Sequence, residues 1–418
     1  MRSRITRVGA SALAVLLTAT IAGCGGDDDS SEPASSQASA PKSNVAKPTG
    51  KPIVLYSIGD TTGAGSVSAV IEQFPVGEEA AVEYINNELG GVDGRPFKLV
   101  RCDSKADPAA TTACANEAIK NDAVAKVGLS VLWDNGNKIF ARAGVPSLNA
   151  PVTNSDSVSP TSFPLAGGST SEFPAQVEFF ATKKGVKHIV MLADDNPQGQ
   201  VQVGIVRKEA DRYGVKLDVV PLKIGADPTP SVARVVGFKP DLVITAAAGS
   251  AAVAVYRAFQ QQGFPADKIV NTGAVVDHEA FFSKIDAAAI EGTHFSYVWD
   301  SYDDEQNEDV ATFRKAMKDY SDVDGRSGFY QWGFSNVMTV YAIAKQVGGD
   351  GFGAAELLDF LKGVDGFPVF MGSELSVKSA PKDAPQIIQP NVQIVRYEDG
   401  KVVPESDGFI NPFAEQGK

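Results

Sequence analysis

From Pro52 onward, apolar and polar positions alternate with two different periods. Ile53–Ile58, Phe97–Arg101, Ala125–Leu129 and Val145–Leu148 are short apolar runs bounded by turn residues, and they predict strands. The intervals predict helices over Glu78–Leu89, Ala109–Asn121 and Asn137–Ala143. In the first helix Val82, Ile85 and Leu89 share one face, and Gly90-Gly91 stops it. Glu78, Glu79 and Glu83 fall early in that helix, where the macrodipole favours negative charge. Asp93-Gly94 then turns the chain into the next strand. With the loop Gly59-Asp60-Thr61-Thr62-Gly63, this makes one βαβ unit.

The rhythm then restarts. His188–Ala193, Leu217–Val220, Leu242–Thr245, Ile269–Asn271 and Thr293–Tyr297 predict strands. Gln200–Tyr213, Ser231–Val236, Ser250–Gln262 and His278–Lys284 predict helices, two of them ended by Gly214 and Gly263. Two α/β blocks of similar plan therefore follow each other, each with a parallel sheet. The last third adds an acidic loop at Trp299–Glu308, with the run Asp300–Asp309 read as a solvated linker, and helices at Phe313–Tyr320, Phe334–Gln346 and Ala354–Lys362. Val392–Tyr397 and Lys401–Val403 flank Asp399-Gly400, a hairpin signal.

The length of 418 residues suits two domains. Gly25–Lys51, rich in Ser, Ala, Pro, Gly and Asp, lacks apolar periodicity and predicts a flexible tether. Ahead of it Arg2, Arg4 and Arg7 precede the short apolar run Val8–Ala22, and Ile21-Ala22-Gly23-Cys24 matches the lipobox of bacterial lipoproteins. Small residues there admit the signal peptidase, and the Cys24 thiol carries the lipid. The alternative is an ordinary secretion signal with an incidental cysteine. Loss of residues 1–23 with their three arginines takes the net charge from −13 to −16. That balance argues against nucleic acid and against broad contact with anionic lipid.

The two remaining cysteines are Cys102, at a strand end, and Cys114, in the helix that follows. In an oxidising compartment they predict a disulfide, with two free thiols as the alternative. No P-loop, Gly-x-Ser-x-Gly or HExxH motif is present, and His188, His278 and His294 stand singly. Neither an enzyme, a metal site nor a cofactor is expected. What remains is binding: in open α/β sheets, ligands sit beyond the carboxyl ends of strands.

Ala80-Ala-Val-Glu-Tyr-Ile-Asn86, Gly90-Gly91, Asp93-Gly94, Asp103, Asp107-Pro108 and Val124-Ala-Lys-Val-Gly128 together resemble the type I periplasmic-binding-protein family. Within that family it looks like the leucine/isoleucine/valine-binding proteins of ABC importers, and the likeness runs from Pro52 onward. It implies two doubly wound parallel-sheet lobes joined by a three-strand hinge. The chain would cross between them near Gly167, Val298 and Asn391. One lobe would then be 52–166 with 299–390, the other 167–298 with 391–418, after a signal peptide at 1–23 and a tether at 24–51.

The resemblance also implies a site. In the first lobe Ser130 stands where the family has a serine-rich turn, with Trp133 beside it, and Asn149, Ala150 and Thr153 match the segment that holds a ligand carboxylate. Tyr330 stands where the family has an aromatic residue touching the ligand side chain; it and Trp133 are alternatively core, and Thr153 is alternatively a turn or cap residue. In the second lobe the family pattern breaks. Gln198, after Asp195, replaces a tyrosine, and Ala248 stands where a second aromatic is common. Asn271-Thr272-Gly273-Ala274 carries no acid where the family has a glutamate for the ligand ammonium. Asp195 or Asp277 would supply the charge, or the ligand is not an α-amino acid. The implied protein is a monomeric, extracytoplasmic, lipid-anchored binder of amino acids. Aromatic or short carboxylic acids and small amides are the runner-up ligands. Its partner would be the membrane subunits of an ABC permease, or else a membrane sensor.

Overall fold

The computed structural model describes residues 45–64, 68–129, 135–148, 154–223 and 225–414. The elements in chain order are β1 (Ile53–Gly59), α1 (Ser68–Ile71), α2 (Gln73–Glu88), β2 (Phe97–Asp103), α3 (Pro108–Lys120), β3 (Ala125–Val127) and α4 (Asn135–Ala143). Next come α5 (Ser169–Lys183), β4 (His188–Asp194), α6 (Pro197–Tyr213), β5 (Lys216–Leu222), α7 (Thr229–Gly237), β6 (Leu242–Thr245), α8 (Gly249–Gln261), β7 (Ile269–Thr272) and β8 (His294–Tyr297). The last are α9 (Glu308–Tyr320), α10 (Gly328–Val347), α11 (Ala354–Gly363), β9 (Asp365–Pro368), β10 (Glu374–Ser376), β11 (Gln393–Glu398) and β12 (Lys401–Pro404).

Two main sheets organise the chain. The first has the order β2-β1-β3 and is parallel, with Ile53 opposite Phe97 and Leu55 opposite Ala125. The second has the order β12-β11-β8-β7-β6-β4-β5. It is parallel from β5 through β8, and then the late hairpin β11–β12 adds antiparallel to β8. Asp399 and Gly400 have φ of 51° and 80°, the paired positive values of a tight hairpin turn. β9 and β10 form a separate antiparallel pair.

Local signals hold where side chains close the elements. Asp107 caps α3 by accepting from the Ala110 amide, with Pro108 at the first position. Asn196, followed by Pro197, caps α6 in the same way, and Gly214 ends that helix in the left-handed region.

Four expectations are corrected. α2 begins at Gln73, five residues before Glu78, because Pro75 falls in the first turn where its missing N–H costs nothing. Glu78 is therefore a fully buried mid-helix residue, and no acid lies in the first turn. Val145–Leu148 forms no strand; Ser147 makes only single bridges to Lys126 and Ser162, since β3 beside it pairs over only three residues. His278–Lys284 is a turn and one 3-10 turn, which lets the adjacent rings of Phe281 and Phe282 both be buried. The acidic stretch after Trp299 is not simply solvated: Asp303 pairs with Arg326, and Asp309 accepts the Met371 amide.

α5 was not expected. Pro174 inside it removes a backbone donor, yet Phe173, Val177 and Phe180 place a buried stripe on the second sheet. No described helix is long and apolar enough to cross a membrane.

Cys102 and Cys114 are joined in a disulfide, Cα–Cα 5.8 Å, tying β2 to the second turn of α3. Closing so short a loop is worth about 3 kcal/mol on the chain-entropy account. Replacing both cysteines by alanine is expected to lower unfolding free energy by about that amount, read as a lowered denaturation midpoint. Equal stability of the two proteins would remove the bond from the list of stabilising features.

Candidate ligand-binding site

The parallel strands β4, β6 and β7 end side by side, so the residues after them share one edge of the second sheet. Asp195 follows β4, Ala248 follows β6, and Thr272 closes β7. Gln198 lies in the first turn of α6, which leaves that edge. Asp195, Gln198 and Ala248 are exposed, whereas Thr272 is buried with its amide on Asn271 Oδ1 at 2.8 Å. Burial pushes the neighbouring Asp194 carboxyl upward.

Tyr330 lies in the first turn of α10, whose start meets this edge. The loop after β7 docks on the start of α10: the Gly328 amide donates to Val276 O at 3.0 Å, and the His278 amide to Arg326 O at 2.9 Å. The first turn of α10 thereby sits beside the carboxyl end of β7. Tyr330 is 8% exposed, and burial with nearby Glu279 and Asp277 pushes its hydroxyl up to about 12.

Asp277, one of the two acids expected to meet a ligand ammonium, is already engaged. Its Oδ2 accepts Gln73 Nε2 at 2.8 Å and its Oδ1 the Ala280 amide at 2.7 Å. Gln73 begins α2 and also accepts the Ser327 hydroxyl. Asp277 thus joins the start of α2 and the start of α10 to the loop after β7, a positioning role.

A second carboxylate was missed in the sequence. Glu172, in the first turn of α5, puts Oε2 3.0 Å from the Gly273 amide and 2.7 Å from Ser296 Oγ. Gln176, one turn on, donates to Asn271 O at 3.1 Å and to Ser296 Oγ at 2.9 Å. Asn271 in turn donates to Ala247 O at 3.1 Å. This buried network stitches α5 to the ends of β6, β7 and β8. Burial pushes the Glu172 carboxyl upward, while the Ser296 hydroxyl and Gly273 amide pull it back. The missed signal was available: Phe173, Val177 and Phe180 have helical spacing, and they carry Glu172 with them.

Ser130, Trp133, Asn149, Ala150 and Thr153, as well as the lipidation candidate Cys24, lie outside the described residues. Among the described residues no cluster of His, Cys, Asp and Glu is arranged to hold a metal ion. A surface depression of about 470 Å³ lies by the amino ends of β1 and β2, lined by Lys51, Asp93, Arg95 and Phe352 among others. It is remote from strand carboxyl ends, and its main cation is spent on backbone, with Arg95 bonded to the carbonyls of Lys51, Gly349 and Phe352.

A family model described as periplasmic binding protein matches residues 57–401. A curated amino acid binding protein of Pseudomonas aeruginosa is 25% identical over 170 residues, 39% of this chain and 45% of that protein. The match therefore spans less than half the length of that relative. Among solved structures, the branched-chain amino acid transporter substrate-binding protein LivJ of Streptococcus pneumoniae, in complex with isoleucine, superposes with a TM-score of 0.68 at 18% identity. The superposition covers 86% of this chain and 99% of that one. The leucine-binding protein LivK of Thermotoga maritima gives 0.67 at 17% identity over 86% and 99%. A solute-binding protein of R. palustris in complex with benzoate gives 0.65 at 20% identity over 86% and 96%. At these identities the likeness is one of fold.

Proposed function

The chain belongs to the periplasmic binding protein family, extracytoplasmic binders of small molecules, and on that premise we propose that it is the lipid-anchored solute-binding protein of an ABC importer. The proposed ligand is a branched-chain or other apolar amino acid. The observation that carries the reading is the family match across residues 57–401, which takes in strands of both main sheets. The isoleucine-bound neighbour supports the ligand class. In this reading 52–166 with 299–390 form one lobe and 167–298 with 391–418 the other. Cys24 carries the lipid and 25–51 the tether.

The ligand would lie between Ser130, Trp133, Asn149, Ala150 and Thr153 on one side and Asp195, Gln198, Ala248 and Thr272 on the other, with Tyr330 beside it. Ligand in the cleft favours the closed form, which a permease recognises. The protein itself carries out no chemical step. A second reading, an aromatic or short carboxylate or a small amide, is favoured by the benzoate-bound neighbour and by the absence of an acid at 271–274.

Thermal unfolding of the purified chain, stripped of carried ligand by unfolding and refolding, tests both. A ligand at a hundred times its Kd stabilises by about 2.7 kcal/mol, a shift of a few degrees. A shift with leucine, isoleucine or valine is the expected result. A shift confined to benzoate, a short carboxylate or an amide would replace the first reading by the second, and silence from the whole panel would overturn both.

A further inference from the structure

We propose that Glu172 is the carboxylate that receives the ligand's ammonium group, delivered from α5 to the loop after β7 in place of an acid on that loop. The inference rests on the amino-acid reading above and names the residue that would make it work. Four observations lead to it. The loop Asn271–Ala274 has no acid of its own. Asp277 is held on both oxygens by Gln73 and the Ala280 amide. Asp195 is exposed at the sheet's edge, where water screens its charge. Among the described residues Glu172 alone is a buried carboxylate, 9% exposed, bonded directly to that loop through Gly273.

The electrostatics point the same way. A carboxylate buried without a cation is costly and calls for a compensating charge. Among the described residues Glu172 forms no ion pair, and only Gly273 and Ser296 offset its desolvation. Both bonds fall on Oε2. Oε1 accepts nothing among the described residues, and it is absent from the sealed, unbonded polar atoms of the protein. Glu78 is the instructive contrast, with both oxygens sealed from solvent. Glu172 has one oxygen fixed by the scaffold and one left for a donor. An ammonium, with three N–H donors, can bond to that accessible oxygen and pair with the carboxylate's charge.

The test is calorimetric titration of leucine and of 4-methylpentanoate, its amine-free analogue, into the purified chain and its Glu172→Gln variant. Glutamine keeps an acceptor for Gly273 and Ser296 and removes only the charge. The wild-type chain is expected to prefer leucine. The variant should lose leucine affinity by at least ~30-fold, as for one partner of a buried charge pair, and keep its affinity for 4-methylpentanoate. A folded variant that binds leucine like the wild type overturns the assignment and leaves the amino-acid reading standing. A wild-type chain that prefers 4-methylpentanoate, or binds neither, overturns that reading and the assignment with it. Should that variant fail to fold, Glu172→Asp decides: the shorter side chain draws the carboxylate back from the ammonium, so a loss of leucine affinity with unchanged affinity for 4-methylpentanoate supports the assignment, and an unchanged leucine affinity or an equal loss for both ligands overturns it.

Discussion

Gly77→Ala is expected to destabilise the protein, although alanine is the better helix former by about 1 kcal/mol. α2 and α10 cross with their backbones almost touching, and each contributes a glycine. A Cβ on Gly77 would stand 2.2 Å from the Tyr330 carbonyl oxygen, and one on Gly333 would stand 2.1 Å from the Phe74 carbonyl oxygen. Neither contact can be relieved by turning a side chain, so the helices must separate. Phe74, Phe334 and the rings around them then lose their packing. Overpacking of this kind costs about 1–3 kcal/mol, and a backbone clash belongs at the upper end.

Tyr330 begins the same turn of α10 whose carbonyl meets Gly77, so ligand affinity should fall along with stability. Gly204 supplies the control. It is an exposed helical glycine in α6, and nothing lies within 4 Å of a Cβ placed there. Gly204→Ala should therefore stabilise by up to about 1 kcal/mol. Opposite signs for the two substitutions in urea unfolding are the expected outcome, and a Gly77→Ala as stable as Gly204→Ala would show that the crossing has room to spare.

The same crossing shows which parts of the structure are legible in the sequence. Elements whose period and terminal residues agree are read correctly: β6 at Leu242–Thr245, the Gly214 end of α6, and the Asp399-Gly400 hairpin. Each depends on neighbours in the chain. The start of α2 is misread because Pro75 and Gly77 look like breakers, when one is harmless in a first turn and the other is required by a helix more than two hundred residues away. α5 is missed in part because Pro174 interrupts a pattern that burial against the second sheet sustains. The site follows suit. Strand carboxyl ends can be found from strands, so Asp195, Ala248 and Thr272 are reachable. Glu172 is not, because it arrives at Gly273 from a different element, across a separation of 101 residues. Asp277 looks available in the sequence and is occupied only because tertiary structure brings Gln73 to it.

Glu78→Gln is expected to change stability in a way that depends on pH. Glu78 is fully buried in α2, and desolvation pushes its carboxyl up to about 7 from an ordinary 4.5, with the Ser57 hydroxyl and the Gly128 amide pulling against that rise. The folded protein therefore holds a proton that the unfolded chain gives up at lower pH. Stability falls as pH rises through the window from about 4.5 to about 7, and is flat above it. The whole shift corresponds to about 3 kcal/mol.

Glutamine removes the titration. At pH 4 the variant should be close to the wild type, and at pH 8 more stable by up to about 3 kcal/mol. Part of that gain is returned through Lys126, a buried lysine that feels the charges of Asp156, Asp60 and Glu78 and loses one of them in the variant. Glu405 does not confuse the measurement, because its effect has the opposite sign and a different window. Despite the cost of desolvation, His294 Nδ1 at 2.5 Å and Lys184 Nζ at 2.6 Å hold its carboxyl down to about 2. The stability it contributes is present above about 4.5 and is lost as pH falls toward 2. Urea unfolding of wild type and Glu78→Gln at pH 4 and pH 8 separates the two groups. A difference between the proteins that is the same at both pH values would mean that Glu78 titrates in the fold as it does in the unfolded chain, and that its charge is compensated inside the fold.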